Sequence, residues 1–104
     1  MAAAYWVAKP EAKVERFLCE GVVLRGGWPA KMTDAGSRGA PDRECRFPDA
    51  LLIYVETKSL NGKLETWQIR YHERLRDLGY IVLTLWTIGH VEKFFSDYDR
   101  GVYG

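Results

Sequence analysis

In Val55-Glu56-Thr57-Lys58 an apolar run turns abruptly charged, after Leu51-Leu52-Ile53-Tyr54. If residues 51–58 form a strand, alternation sends Leu51, Ile53, Val55 and Thr57 to one face and Leu52, Tyr54, Glu56 and Lys58 to the other. Glu56 and Lys58 then share a face two residues apart. Burying a carboxylate and an ammonium there is costly unless they pair or bind something. Taken singly, a strand end emerging into water explains the pair equally well. Asp42 changes the balance. It lies in Gly39-Ala40-Pro41-Asp42-Arg43, at the start of the strand expected to pair with residues 51–58. Antiparallel pairing sets the start of one strand beside the end of the next, so Asp42 and Glu56 converge with Lys58 adjacent. Two close carboxylates repel unless a cation lies between them. A small set of hard oxygen ligands suits Mg²⁺, which keeps waters in its remaining positions. Such an ion can activate water and stabilise charge on a phosphodiester. A turn aspartate after proline is the ordinary alternative for Asp42; set beside Glu56 and Lys58, it is the weaker one.

The elements that must position these groups can be read around them. Pro10 and Glu11 suit the first turn of a helix, through a fixed φ and a favourable dipole interaction. Val14, Phe17, Leu18 and Val22 follow at helical spacing, and Gly26-Gly27 stops the helix. Residues 28–41 read as loop, with Gly36, Ser37, Gly39 and Pro41 as turn formers and a short strand over residues 30–33 as an option. Residues 43–47 and 51–58 form a hairpin through Pro48-Asp49. After a turn at Leu60-Asn61-Gly62-Lys63, the residues Leu64, Trp67, Tyr71, Leu75 and Leu78 mark the apolar stripe of a second helix. Gly79 closes that helix. Residues 80–87 are a continuous apolar run fit for a sheet interior. Residues 91–95 suggest a short last helix before a polar tail. The expected architecture is α/β, with a mixed sheet flanked by helices.

With 104 residues and no repeat or linker, residues 1–104 read as one domain with one core. The net charge of +1 excludes binding to nucleic acid through a globally basic surface, so any such binding needs a local positive face. Cys19 and Cys45 are too few for a disulfide framework, lack metal-ligand spacing and read as small apolar fillers. The N-terminus lacks the pattern of a secretory signal and no apolar run is long enough to cross a bilayer. A soluble protein of a reducing cytoplasm is the expectation.

The ordered set Gly39-Ala40-Pro41-Asp42-Arg43, Val55-Glu56-Thr57-Lys58, Gln68 in the following helix and Gly79 before the last strand resembles the VRR-Nuc family of the PD-(D/E)XK nuclease superfamily. Glu15, Gly26-Gly27 and Lys31 extend the resemblance, which covers residues 14–95. It implies a restriction-endonuclease-like αβββαβ core. It implies Asp42 and Glu56 as ligands of Mg²⁺ or Mn²⁺, the main-chain carbonyl of Thr57 as a further ligand, and Lys58 as the catalytic lysine. Gln68 is implied beside the active site, where a half-buried amide also needs partners.

Glu15 flanks the stripe of Val14, Leu18 and Val22, whereas Glu20 points away, so Glu15 is the helix glutamate expected to reach the site. Lys31, Arg38 and Arg43 are expected to contact DNA phosphates. Arg70 and Arg74 read as the wet face of their helix, His72 as helix packing, His90 as a helix-start residue, and Trp67 and Trp86 as core. The resulting reading is a metal-dependent DNA endonuclease. Standalone members of the family are similar to homodimeric junction-resolving enzymes, so a four-way junction or other branched DNA is the expected substrate. A small standalone form also suits a phage or mobile element. Two other readings stand beside it: a nickase or restriction-type enzyme on linear duplex, and a non-catalytic DNA-binding or assembly subunit.

Overall fold

The computed structural model describes residues 10–32, 34 and 38–104. Thr33, the turn residues Gly36 and Ser37, and Tyr5-Trp6-Val7 lie outside that set. Helix α1, Pro10–Leu24, carries Glu11 in its first turn, where the carboxylate meets the positive end of the dipole. Val14, Leu18 and Val22, spaced by four, are buried in the core. Phe17, expected in the same stripe, is 40% exposed. It lies a full 100° step off that line. Gly26 adopts φ +78, and the amides of Gly26 and Gly27 return to the carbonyls of Val23 and Val22 at 2.9 Å each. This left-handed turn ends the helix and aims the chain at the sheet.

Four strands form one mixed sheet in the order β1-β2-β3-β4: β1 Trp28–Lys31, β2 Arg43–Arg46, β3 Leu52–Thr57 and β4 Ile81–Leu85. The first strand begins two residues before the expected one. Pro29 has no amide to donate, and an edge strand tolerates that. Strands β1, β2 and β3 are antiparallel, and Arg43 stands opposite Val55. Pro48–Ala50 turns the hairpin, with Asp49 and Ala50 both at φ 63 and the Phe47 amide donating to the Leu51 carbonyl at 2.8 Å. Strand β4 is parallel to β3, with Glu56 opposite Thr84, and helix α2, Thr66–Asp77, makes the crossover. The helix–three strands–helix–strand core expected from the sequence is the one that forms.

Val14, Leu18 and Val22 of α1 join Cys45, Ile53, Val55 and Leu85 of the sheet and Phe94 and Phe95 of helix α3, Ile88–Asp99, in one apolar cluster. Fully burying such a side chain contributes about 1.5–3 kcal/mol. Helices α1 and α3 therefore cover one face of the sheet. Tyr54 and Glu56 alternate to the other face, which α2 covers. Helix α3 is more than twice as long as expected. Thr87 caps it by accepting from the His90 amide at 3.0 Å, and Arg25 clamps its far end through Asp99 at 2.9 and 2.8 Å. Tyr98 and Tyr103, both in the stretch expected to be a polar tail, pack against the core, with Tyr98 stacked on Phe47 at 4.4 Å. None of the described helices is long and apolar enough to cross a membrane.

Helix α2 is rotated relative to the expected stripe. Trp67 is 40% exposed and Leu78 is 76% exposed, whereas His72 is fully buried against the sheet. Trp67 is therefore not a core residue. Gln68 and His72, one turn apart, form the inward face.

Candidate active site

One step beyond the pairing of Arg43 with Val55, the chain brings Asp42 level with Glu56. Its oxygen Oδ2 accepts from the Thr57 amide at 2.9 Å and the Thr57 hydroxyl at 3.0 Å. Both bonds fix the carboxylate against the end of β3, and Oδ1 has no hydrogen-bond partner among the described residues. Thr57 thus holds Asp42 through its side chain, a role its place between Glu56 and Lys58 did not suggest.

The preceding loop is locked onto α2. Gly39 has φ +92, and a Cβ there would stand 2.4 Å from the Trp67 carbonyl oxygen and 2.9 Å from the Gln68 Cα. Only glycine allows both the left-handed backbone and this approach. The contact ties Asp42 to the helix turn that carries Gln68.

Glu56 is 3% exposed. Its Oε2 accepts from Gln68 Nε2 at 3.2 Å and lies 3.5 Å from Lys58 Nζ. The amide of Gln68 is oriented by its other end, because Oε1 accepts from the Glu65 amide at 2.8 Å. Glu56 Oε1 is buried and has no partner among the described residues. Burial pushes the Glu56 carboxyl up to about 7, Asp42 adds to the rise, Lys58 opposes it and Glu11 adds a smaller push. Two hard oxygens, Glu56 Oε1 and Asp42 Oδ1, are thus left open at neighbouring positions. No group of three or more His, Cys, Asp or Glu that could hold a metal forms among the described residues. A small donor set completed by waters is nevertheless what Mg²⁺ accepts, and a buried anionic oxygen without a partner is what a cation would relieve.

Not every expected site residue arrives. Glu15 Oε2 is held by Arg43 Nε at 2.9 Å, and Arg43 also donates to the Pro29 carbonyl at 3.2 Å. Alternation puts Arg43 on the Cys45 face that α1 covers, so this cation and this helix carboxylate satisfy each other. The α1 carboxylate whose charge acts on Glu56 is Glu11, one turn earlier. Its sequence signal was the first-turn position, which admits a plain dipole role. Lys31 is exposed at the end of β1 opposite Arg43, and Arg38 stacks over the Trp67 ring at 4.0 Å. His72 is fully buried with both ring nitrogens unpartnered among the described residues. Burial holds its imidazole below the ordinary range, the cations Arg76 and Lys58 add to this, and Asp42 opposes it. Burial likewise pushes the Cys45 thiol up to about 12, which leaves it an inert filler.

The raised Glu56 carboxyl has a stability consequence. Between its ordinary 4.5 and about 7 the folded chain holds a proton that the unfolded chain has released, so stability contributed at low pH is lost as pH rises through that window. His72 acts in the opposite sense, losing stability as pH falls below its ordinary 6.5. Subtracting the melting curves of Glu56→Gln isolates the carboxylate. In EDTA, Glu56→Gln should melt above the wild type at neutral pH, and the gap should close towards pH 4.5, the ordinary value of the carboxyl. A gap independent of pH would contradict the assignment.

No family model matches the chain. Over 75 residues it is 37% identical to the curated protein named "Putative nuclease p44" of Acyrthosiphon pisum secondary endosymbiont phage 1, spanning 72% of this chain and 81% of that one. A solved structure described as a VRR_NUC domain superposes with a TM-score of 0.81 at 31% identity, covering 86% of this chain and 97% of its own. The similarity extends well beyond the few charged residues to the sheet and helices that hold them, and the chain belongs to the VRR-Nuc nuclease family.

Proposed function

We propose that residues 1–104 form one Mg²⁺- or Mn²⁺-dependent endodeoxyribonuclease domain that hydrolyses phosphodiesters in branched DNA, as a homodimer of the junction-resolving kind. The observation that carries the reading is the buried, unpartnered Glu56 Oε1 beside Asp42, with Lys58 3.5 Å from the same carboxylate. Asp42, Glu56 and the Thr57 carbonyl would hold the cation. When bound, it supplies Lewis-acid stabilisation of phosphate charge and lowers the pKa of water. The protein's own groups do the positioning. Thr57 fixes Asp42, Gln68 fixes Glu56, and the Lys58 ammonium faces the position of the scissile phosphate. There it orients the attacking water and stabilises charge developing on a non-bridging oxygen. Water oxygen adds to phosphorus as one ester P–O bond breaks, the water's proton passing to solvent and the leaving oxygen taking one from solvent. Lys31 and Arg38 contact flanking phosphates, and Arg43 joins them only by leaving Glu15.

Symmetric cutting of a junction needs two related sites, and a second copy supplies the other through a two-fold interface. The α1 surface offers apolar area for it: Phe17, Val23 and Leu24 are 40%, 59% and 84% exposed. The phage relative supports action on DNA inside a bacterial or phage-infected cell. Light scattering at micromolar concentration should give twice the 12.0 kDa chain mass. With Mg²⁺, a four-way junction should receive paired, symmetry-related incisions. A monomer that only nicks linear duplex would refute the junction reading, and one that binds DNA without cutting would refute the enzyme.

A further inference from the structure

The outward face of α2 carries a feature that the cleavage site does not use. Trp67, Arg70, Tyr71, Arg74, Leu75 and Leu78 follow at spacings of three and four, so they form a single stripe about 16 Å long on the helix surface. Together with Arg38 and Asp34 they line a groove of about 390 Å³. Three guanidiniums, those of Arg38, Arg70 and Arg74, face it against one carboxylate. That carboxylate, Asp34, is already engaged by the Tyr71 hydroxyl, which donates to it. Arg38, Arg70 and Arg74 form no ion pair with any described residue. In a chain whose net charge is +1, this is a local concentration of positive charge.

One end of the groove adjoins the cleavage site along the chain. Arg38 directly precedes the loop that Gly39 locks onto α2 and that ends in Asp42. Trp67 directly precedes Gln68, the residue bonded to Glu56. The Arg38 guanidinium lies 4.0 Å from the Trp67 ring centroid, so the end nearest the site is a planar cationic and aromatic platform. Platforms of this type stack unpaired bases, while flanking cations follow the phosphates.

We propose that this groove is the track of the DNA strand leading away from the scissile phosphate, with Arg38, Arg70 and Arg74 on its backbone and an unpaired base stacked at Trp67. It rests on the nuclease reading above and deepens it: an unpaired base is available at a branch point and absent from intact duplex. A second copy of the chain is the poorer occupant, since self-apposition would set guanidiniums against guanidiniums.

The test uses the full chain with Ca²⁺ in place of Mg²⁺, and follows binding of single-stranded, four-way-junction and linear duplex DNA by fluorescence anisotropy over a range of salt. Arg70→Ala/Arg74→Ala is compared with Lys93→Ala/Arg100→Ala, which removes equal charge from α3 and its C-terminal end. The groove variant should lose about tenfold or more in affinity for single-stranded and junction DNA, and its salt slope should fall by about 1.4 on single strands. The α3 variant should match the wild type. Trp67→Ala should lose about tenfold on single strands and Trp67→Phe should retain most of the affinity. With Mg²⁺ and junction DNA well below saturation, cleavage by the groove variant should fall in step with its affinity, because its contacts bind rather than react. Wild-type binding by the groove variant would overturn the proposal. So would conversion of a dimer to monomer by the same substitutions, which would make the groove a contact between copies. An inert wild type that still binds single strands through Arg70 and Arg74 would instead defeat the nuclease reading alone.

Discussion

Lys58→Ala should cut the single-turnover cleavage rate by about 100- to 1000-fold while lowering DNA affinity only a few-fold. The Lys58 side chain is 18% exposed, with its ammonium 3.5 Å from a nearly buried carboxylate. It is held in place before any substrate arrives, and a pre-positioned donor aimed at developing charge contributes on that scale. As a phosphate contact it is one among several, so its loss should lower the salt slope of binding by about 0.9. The substitution also removes the cation that opposes the rise of the Glu56 carboxyl, so Glu56 in the variant keeps its proton to higher pH. Rates are therefore compared well above neutrality, where the carboxylate is ionised in both proteins. A deficit that vanishes there would make Lys58 a group that merely tunes Glu56. Affinity falling as steeply as rate would make it a docking residue.

The hairpin was legible because its register follows from two residue patterns. Alternation in Leu51-Leu52-Ile53-Tyr54-Val55-Glu56 and a turn at Pro48 leave few pairings, and the observed one opposes Arg43 to Val55. The convergence of Asp42 with Glu56 is a consequence of that register. The orientation of α2 was not legible, for a physical reason. An apolar stripe normally faces the core, but this helix covers the polar, partly buried groups Glu56, Lys58 and Asp42, so its inward residues are Gln68 and His72. Local patterning fails where a surface is shaped for chemistry rather than packing. Trp67 and Leu78 are the apolar residues that this leaves outside.

The remaining departures have the same origin. Glu15 and Glu11 are one turn apart, and helical spacing alone does not say which is nearer the sheet end that carries Glu56. Arg43 settles it by engaging Glu15 on the face under α1. The polar stretch Ser96-Asp97-Tyr98-Asp99 hid the second half of α3, whose end is held by Arg25 to Asp99, a contact across 74 residues. Such pairings are invisible to a local reading.

Asp42→Asn and Glu56→Gln should each abolish cleavage, a loss of at least about 1000-fold, since several kcal/mol of Lewis-acid stabilisation depend on the cation they are proposed to hold. Both substitutions are isosteric. In Asp42→Asn the new amide can keep an oxygen acceptor for the Thr57 amide and hydroxyl. In Glu56→Gln a neutral side chain replaces a buried anion that lacks a partner on Oε1, so the variant should fold at least as well in EDTA. Loss of activity with gain of metal-free stability marks a group retained for function rather than for the fold. The decisive measurement is the single-turnover cleavage rate of four-way-junction DNA by wild type and Glu56→Gln across a range of Mg²⁺ concentrations. The wild type should rise with Mg²⁺ and stop in EDTA, while Glu56→Gln stays at background throughout. A wild-type-like Mg²⁺ curve for Glu56→Gln, or cleavage that persists in EDTA, would contradict the account.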